Sequence, residues 1–190
     1  MASVWIRTER LWLRPFAPGD VGRLHAIFSR AEVRRYLLDG DVVPRSWVEE
    51  VVASSEASFA AQGLGLWCIA LAPEAPAVGF TGYREFHDPP VCELLYGLDP
   101  PDWGRGLARE ASQAALRYGF EALGFDPIRA SVDAPNEASL ALARRLGFRE
   151  TGRGPGPAFE QVHLTLERAE FAMPAGRFDV GPGPDAEGRG

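Results

Sequence analysis

Asp99-Pro100-Pro101-Asp102-Trp103-Gly104-Arg105-Gly106-Leu107-Ala108-Arg109-Glu110, running on to Ala122, is the stretch on which the fold turns. It reads as the end of a strand, a tight glycine turn and an amphipathic helix. Leu107, Ala111, Ala114, Ala115, Tyr118 and Ala122 recur at helical spacing and mark a buried stripe. Gly104 and Gly106 precede them, with no Cβ to block a close approach to the backbone. Such a turn presents free N–H groups at the positive end of a helix dipole, which suits a pyrophosphate. Arg105 stands between the glycines as an added cation. Taken alone, the two glycines serve equally as a plain turn before a helix. The dinucleotide fingerprint is excluded, because Arg109 occupies its third glycine place. A P-loop is excluded too, because no Gly-Lys-Ser/Thr follows.

Upstream, residues 4–14 alternate apolar and basic side chains and predict two short strands or one bent strand. Pro18-Gly19-Asp20 is a turn with Asp20 as an N-cap candidate, and Val21, Leu24, Ile27 and Phe28 form a helical stripe. A second helical piece runs from Glu32 to Leu38. Ser46 and Glu49 read as a capping box for a third helix, carrying Trp47, Val51, Val52 and Phe59 and stopping at Gly63. Three consecutive strands follow, over 66–71, 78–86 and 91–98, with a turn at 87–90 between the last two. Downstream of the organising helix, 127–132 is a short strand and 136–146 a helix stopped by Gly147. Residues 148–152 and 159–166 are the last strands. The order predicts an α+β (mixed α/β) fold, with a mostly antiparallel sheet of six or seven strands flanked by helices. Residues 1–172 form the expected domain. Gly, Pro, Asp and Arg dominate from Pro174 on, so 173–190 is expected to be a disordered tail.

At 190 residues the chain suffices for one domain with a substantial core. A net charge of −6 argues against a nucleic-acid partner. No apolar run reaches membrane-spanning length, and the N-terminus lacks a secretory pattern, so a cytoplasmic protein without a membrane partner is expected. Cys68 and Cys92 lie in apolar runs and read as buried free thiols; with histidines scattered at 25, 87 and 163 they predict no metal site. No Cys–His or Ser–His arrangement is visible along the sequence. All twenty basic residues are Arg, and Asn136 is the single Asn. In so biased a composition, the one Asn retained invites a functional reading.

Asn136 opens a second informative stretch, Asn136-Glu137-Ala138-Ser139-Leu140, ending in Leu146-Gly147-Phe148. Its residues alone predict an N-cap at Asn136, with Ser139 bonding within the same turn. Together, in this order, the two stretches resemble the GNAT superfamily of acyl-CoA-dependent N-acetyltransferases. The family's pyrophosphate motif, Gln/Arg-x-x-Gly-x-Gly/Ala, falls on Trp103-Gly104-Arg105-Gly106-Leu107-Ala108, with Trp103 departing at the first place. The lead-in Glu93 to Asp99, the Asn-x-x-Ser and Leu-Gly-Phe pieces, and the opening Thr8-Glu9-Arg10-Leu11-Trp12-Leu13-Arg14-Pro15 resemble the ribosomal-protein-alanine N-acetyltransferase branch. The likeness spans about residues 5–171.

The resemblance implies a sheet splayed beside the glycine turn, with acetyl-CoA as cosubstrate in the gap and no metal. Trp103, Gly104, Arg105, Gly106, Leu107, Ala108 and Arg109 would cradle the pyrophosphate. Tyr96 and Leu98 would pair their backbone with pantetheine as an added strand would, and Asn136 and Ser139 would meet it from the second stretch. The implied chemistry is direct attack of a neutral amine on the thioester, with Glu93 or Glu160 as base and Ser139 donating to the leaving thiolate. Glu160 shares strand parity with Val162, Leu164 and Leu166, which points it toward a covered face. The favoured acceptor is a protein or peptide N-terminal amine. A small amine or aminoglycoside, a CoA-binding sensor without catalysis, and a plain interaction domain stay open, as does the oligomeric state, homodimer included.

Overall fold

The computed structural model describes residues 4–86, 89 and 91–184. In chain order the elements are β1 (Trp5–Arg7), β2 (Trp12–Pro15), α1 (Val21–Phe28), α2 (Ala31–Leu37), α3 (Arg45–Gln62), β3 (Leu66–Ala70), β4 (Gly79–Phe86), β5 (Val91–Leu98), α4 (Leu107–Glu121), β6 (Ile128–Asp133), α5 (Glu137–Leu146), β7 (Arg149–Pro155), β8 (Glu160–Leu166) and β9 (Asp179–Gly181). The strands form one sheet in the order β7-β8-β6-β5-β4-β3-β2-β1-β9. Every pairing is antiparallel except β5 with β6. That single parallel pair is the one place where a helical crossover, α4, was needed.

Each face of the sheet carries its own core. One holds α4 and α5 side chains against Trp67, Ile69, Tyr83, Leu94, Ala130 and Val162. The other packs α1, α2 and α3 against Leu66, Cys68, Phe80 and Leu95. Strand β3 is buried at every residue because both faces are covered there. The predicted stripe of α4 is buried from Leu107 to Tyr118. It comes close to the sheet at Gly119, where a Cβ would lie 2.2 Å from the Tyr83 hydroxyl. Tyr83 donates that hydroxyl to the Ala115 carbonyl at 2.9 Å, so glycine here lets helix and strand meet across a hydrogen bond.

The sheet has nine strands among the described residues rather than six or seven. Residues 4–14 split into β1 and β2, and the tail contributes β9. The expectation of disorder from 173 is therefore corrected over the described part of the tail. Ile6 pairs with Val180, Arg177 N–H donates to Glu9 Oε1 at 2.9 Å, and the Arg117 guanidinium lies 4.2 Å from the Phe178 ring centroid. The exposed edge of β1 supplies the pairing partner that composition could not reveal. Residues 185–190, and 87, 88 and 90 of the predicted turn, lie outside the described residues. The Ser46 capping box is corrected as well. The helix starts at Arg45 behind Pro44, no side chain caps it, and Glu49 is taken by Arg45 at 3.2 Å. Asp20 flanks α1 without capping it; its carboxylate is held by Arg14 at 2.5 and 2.6 Å and by the Ala17 N–H at 3.1 Å.

Gly119→Ala sets two effects against each other. Helix propensity favours Ala by about 1 kcal/mol. Overpacking costs about 1–3 kcal/mol, and the Tyr83–Ala115 bond is disturbed besides. The variant is expected to lose net stability in urea unfolding, and a gain would show that the α4–β4 contact yields easily.

Candidate active site

Strands β5 and β6 pair at one position, Glu93 with Arg129, and then part. Each is firmly held on its other side: β5 by eight registered pairs with β4, and β6 by six with β8. The gap is thus a fixed wedge in a well-paired sheet. The Asp99 N–H donates to Val78 at 2.8 Å on the β4 side. Strand alternation then turns the backbone groups of Tyr96 and Leu98 toward the gap. The Leu98 carbonyl accepts from Trp103 Nε1 at 2.9 Å, which leaves its N–H and the Tyr96 backbone facing the wedge.

The glycine turn stands at the end of β5. Gly104 and Gly106 have φ of 74° and 75°, a left-handed conformation that a β-branched residue resists. Gly106 is the N-cap of α4, and no side chain caps that helix. Open space surrounds Gly104. The first-turn N–H groups of Leu107, Ala108 and Arg109 therefore face outward at the positive helix end, an arrangement that fits a pyrophosphate. Arg105 is paired with Asp102 and half exposed; Arg109 is exposed on the same turn.

Two ion clusters hold this turn. Glu110, in the first turn of α4, accepts from Thr8 Oγ1 at 2.6 Å, Arg10 N–H at 2.9 Å and Arg10 Nε at 2.6 Å. Arg10 also donates to the Arg105 carbonyl at 2.9 Å, inside the turn itself. The β1–β2 connection thereby grips the cradle through a carboxylate and a carbonyl at once. Burial works to raise the Glu110 carboxyl, but the Thr8 and Arg10 donors outweigh it and hold it below the ordinary glutamate range. At the other flank Asp99, 2% exposed, binds Arg23 at 2.7 Å and Arg30 at 3.1 Å, both from the α1 region.

Two polar clusters approach the gap from opposite faces. On the α4–α5 face, the Tyr96 hydroxyl donates to the Ser139 carbonyl at 3.2 Å and lies 2.9 Å from Ser139 Oγ. Burial keeps the Tyr96 phenol protonated well past neutral pH, against the Ser139 hydrogen bond. Asn136 Oδ1 accepts the Ser139 N–H at 3.2 Å, the cap that the sequence predicts, and its amide N–H₂ is not used in that bond. On the other face, Ser131 Oγ donates to Glu93 Oε1 at 2.8 Å and lies 3.1 Å from His163 Nδ1. Glu93 is 7% exposed and sits where β5 and β6 part. A cavity of about 270 Å³ borders this cluster, lined by Glu93, Arg129, Thr151, His163 and Thr165 among others.

The structure separates the two base candidates. Glu160 keeps the parity of Val162, but it is the first residue of β8 and its side chain is 55% exposed, bound by Arg153 at 3.1 Å. The expectation that it points toward a covered face is corrected, because the cover ends before the strand does. Ser131 and His163 form the Ser–His contact that no stretch of sequence displays. The one available signal was parity: Arg129, Ser131 and Asp133 alternate with the apolar Ile128, Ala130 and Val132. Asp133 was missed for the same reason. It is 6% exposed, and its Oδ2 has no hydrogen-bond partner among the described residues. Burial and the Asp39 carboxylate push its carboxyl up, opposed by a bond to Gln161. Cys68 is buried, and burial raises its thiol well above the ordinary value. Burial first, then the Glu85 and Glu93 carboxylates, push the Cys92 thiol up to about 11.

Residues 10–149 match the family model described as Acetyltransferase (GNAT) domain. The chain is 28% identical over 173 residues to an uncharacterised N-acetyltransferase, p20, of Bacillus licheniformis, covering 87% of this chain and 97% of that one. It is 26% identical over 147 residues to the spermidine N(1)-acetyltransferase of Escherichia coli K12, covering 74% and 73% of the two. Among solved structures, an acetyltransferase from Agrobacterium tumefaciens C58 superposes with a TM-score of 0.75 at 26% identity, over 86% of this chain and 94% of that one.

Glu110 has a depressed pKa, so its grip on the 8–10 turn is complete above the unfolded value of about 4.3 and fades as pH falls through the folded one. Urea midpoints of the native chain should drop between pH 6 and pH 3 more steeply than those of Glu110→Gln. Parallel curves would mean that the carboxylate contributes nothing to docking the turn.

Proposed function

We propose that this chain, which belongs to the GNAT acetyltransferase family, moves an acetyl group from acetyl-CoA directly onto a primary amine. The observation that carries the reading is the wedge between β5 and β6, with an uncapped helix start at its mouth and a polar cluster on each face. Acetyl-CoA would lay its pyrophosphate on Trp103 to Arg109 and its pantetheine along Tyr96 and Leu98, with Asn136 meeting it from α5. The thioester would then lie near the point where the strands part. A backbone N–H of β5 would polarise the thioester carbonyl, a contribution of about 3 kcal/mol in comparable oxyanion sites.

The acceptor nitrogen forms a bond to the carbonyl carbon, and the carbonyl electron pair moves to oxygen. The nitrogen gives its proton to the Glu93 carboxylate. Collapse breaks the carbon–sulfur bond, the thiolate takes a proton from Ser139, whose hydroxyl lies beside the Tyr96 phenol, and Ser139 regains a proton from water. No acyl-enzyme is required, and both thiols are held protonated by their surroundings. The favoured acceptor is a protein or peptide N-terminal amine. A small polyamine is the second reading: the half-satisfied carboxylate of Asp133, with Asp39 nearby, favours an acceptor carrying a second positive charge, and one relative is named a spermidine acetyltransferase.

Thiol release from acetyl-CoA, screened over peptides with free N-termini, spermidine and aminoglycosides, tests the reading. Acetyl-CoA binding in calorimetry without acceptor-dependent thiol release would instead support a sensor. Glu93→Gln should lower kcat about a hundredfold near neutral pH with little change in acetyl-CoA KM, and should recover partly at high pH where the amine deprotonates itself. A wild-type rate in Glu93→Gln would remove Glu93 as the base. Replacing Cys68 and Cys92 by Ala should leave turnover within a few-fold.

A further inference from the structure

A base buried at the apex of a wedge must discharge its proton after every turnover, and Glu93 is only 7% exposed. We infer that Glu93, Ser131 and His163 form a relay that carries the acceptor's proton from the wedge to the outer side of β8. The inference rests on the transferase reading above and adds two catalytic-cluster residues to it. The three side chains come from three adjacent strands, β5, β6 and β8, and share one face of the sheet. Glu93 shares parity with Leu95, which packs on the α1–α3 face. Ser131 and His163 are register partners, each flanked by residues of the opposite core, Ala130 and Val132 on one strand, Val162 and Leu164 on the other. The contacts run without a break, 2.8 Å from Ser131 Oγ to Glu93 and 3.1 Å from Ser131 Oγ to His163 Nδ1.

Ser131 has one proton and can serve either neighbour. With Glu93 ionised, the hydroxyl donates to the carboxylate, as observed. Once Glu93 has taken the amine's proton and His163 has moved its single hydrogen from Nδ1 to Nε2 by exchange with water, both bonds reverse: Glu93 donates to Ser131 Oγ, and Ser131 donates to Nδ1 of the neutral imidazole. A shift of both protons regenerates the carboxylate and the hydroxyl and leaves an imidazolium. The imidazolium then releases the Nε2 proton to water. The net transfer is one proton from the acceptor nitrogen to solvent, with no group consumed. Two features suit the exit. Nε2 faces Gly154 of β7, where a Cβ would approach it to 3.1 Å, so a side chain at that position would press on the ring. The cavity of about 270 Å³ reaches both His163 and Glu93. Arg84 on β4 and Arg129 on β6 stand opposite Glu93 in register.

The test uses the full chain with acetyl-CoA and two probe acceptors, spermidine and an Ala-initiated hexapeptide. Ser131→Ala and His163→Ala are each expected to lower kcat about tenfold. Acetyl-CoA affinity by calorimetry should stay at the wild-type value. Added imidazole should restore most of the His163→Ala rate and none of the Ser131→Ala rate. Ser131→Thr, which keeps a hydroxyl in a strand position, should stay near wild type. A merely structural serine or histidine would not give imidazole rescue confined to one variant. Wild-type rates in both Ala variants, or an acetyl group found on Ser131 by mass spectrometry, would overturn the relay while leaving the transferase reading in place. If native protein neither binds acetyl-CoA nor releases thiol with either probe, the transferase reading fails and the relay with it. If Ser131→Ala does not fold, the His163→Ala rescue decides alone.

Discussion

Two parallel strands that touch at one residue pair and then separate are the constraint on which this molecule depends. Backbone groups on facing edges of a sheet ordinarily pair, and leaving them open costs free energy unless something else satisfies them. Here β5 and β6 are each locked into antiparallel ladders on their outer sides, so neither can swing across to close the gap. The wedge is therefore a property of the whole sheet. Its mouth is stiffened by charge. Asp99 ties the end of β5 to Arg23 and Arg30 of the helical layer, and Glu110 ties the start of α4 to Thr8 and Arg10. Asp99 is almost fully buried, so removing it would strand two arginines; both are partly exposed and can be rehydrated, which moderates the loss to about 1–3 kcal/mol.

Strand alternation assigns the chemistry to sides. Odd-numbered residues of β5 face the α1–α3 layer and even-numbered ones face α4 and α5. Tyr96 therefore joins Ser139 on one side, and Glu93 joins Ser131 on the other. The carboxylate on one side and the phenol–hydroxyl pair on the other are thus held on opposite faces of the gap, out of direct contact. A substrate lying in the gap would meet both. This division also accounts for the small separation of the three strands: only where β5 and β6 still pair can side chains from β5, β6 and β8 form one continuous chain of hydrogen bonds.

The parts legible in the sequence were those with a local cause. The glycine turn, the α4 stripe, the Asn136 cap and the strand run from 66 to 98 all follow from spacing and turn chemistry within a few residues. The opening Thr8 to Pro15 could be matched to a family pattern, but its physical reason appears only in the structure, where Thr8 and Arg10 close on a carboxylate about a hundred residues away. Ser131 and His163 were illegible for the same cause, since their contact depends on β6 pairing with β8 in one register. A shift of one residue would send them to opposite faces. Glu160 shows the converse failure: its parity was read rightly, yet parity does not say where a covering helix ends. In the tail, Gly and Pro content signalled disorder, while the deciding factor was an unpaired edge on β1.

Adjacent residues of β5 illustrate how one charge can serve two ends. Glu93 and Cys92 are neighbours in sequence and lie on opposite faces. Burial foremost, then the Glu85 and Glu93 carboxylates, lifts the Cys92 thiol to about 11, so the carboxylate proposed as the base also disfavours a second negative charge beside it. Near neutral pH that thiol is almost wholly protonated and a poor nucleophile. Thioester chemistry beside a free cysteine carries a standing hazard of acyl transfer to sulfur. Here burial, with Glu85 and Glu93 adding to it, suppresses the thiolate, and the pleat keeps the sulfur on the face opposite Glu93. In the proposed transfer an incoming amine would then meet no competing thiolate on β5, a consequence of burial, charge and strand geometry.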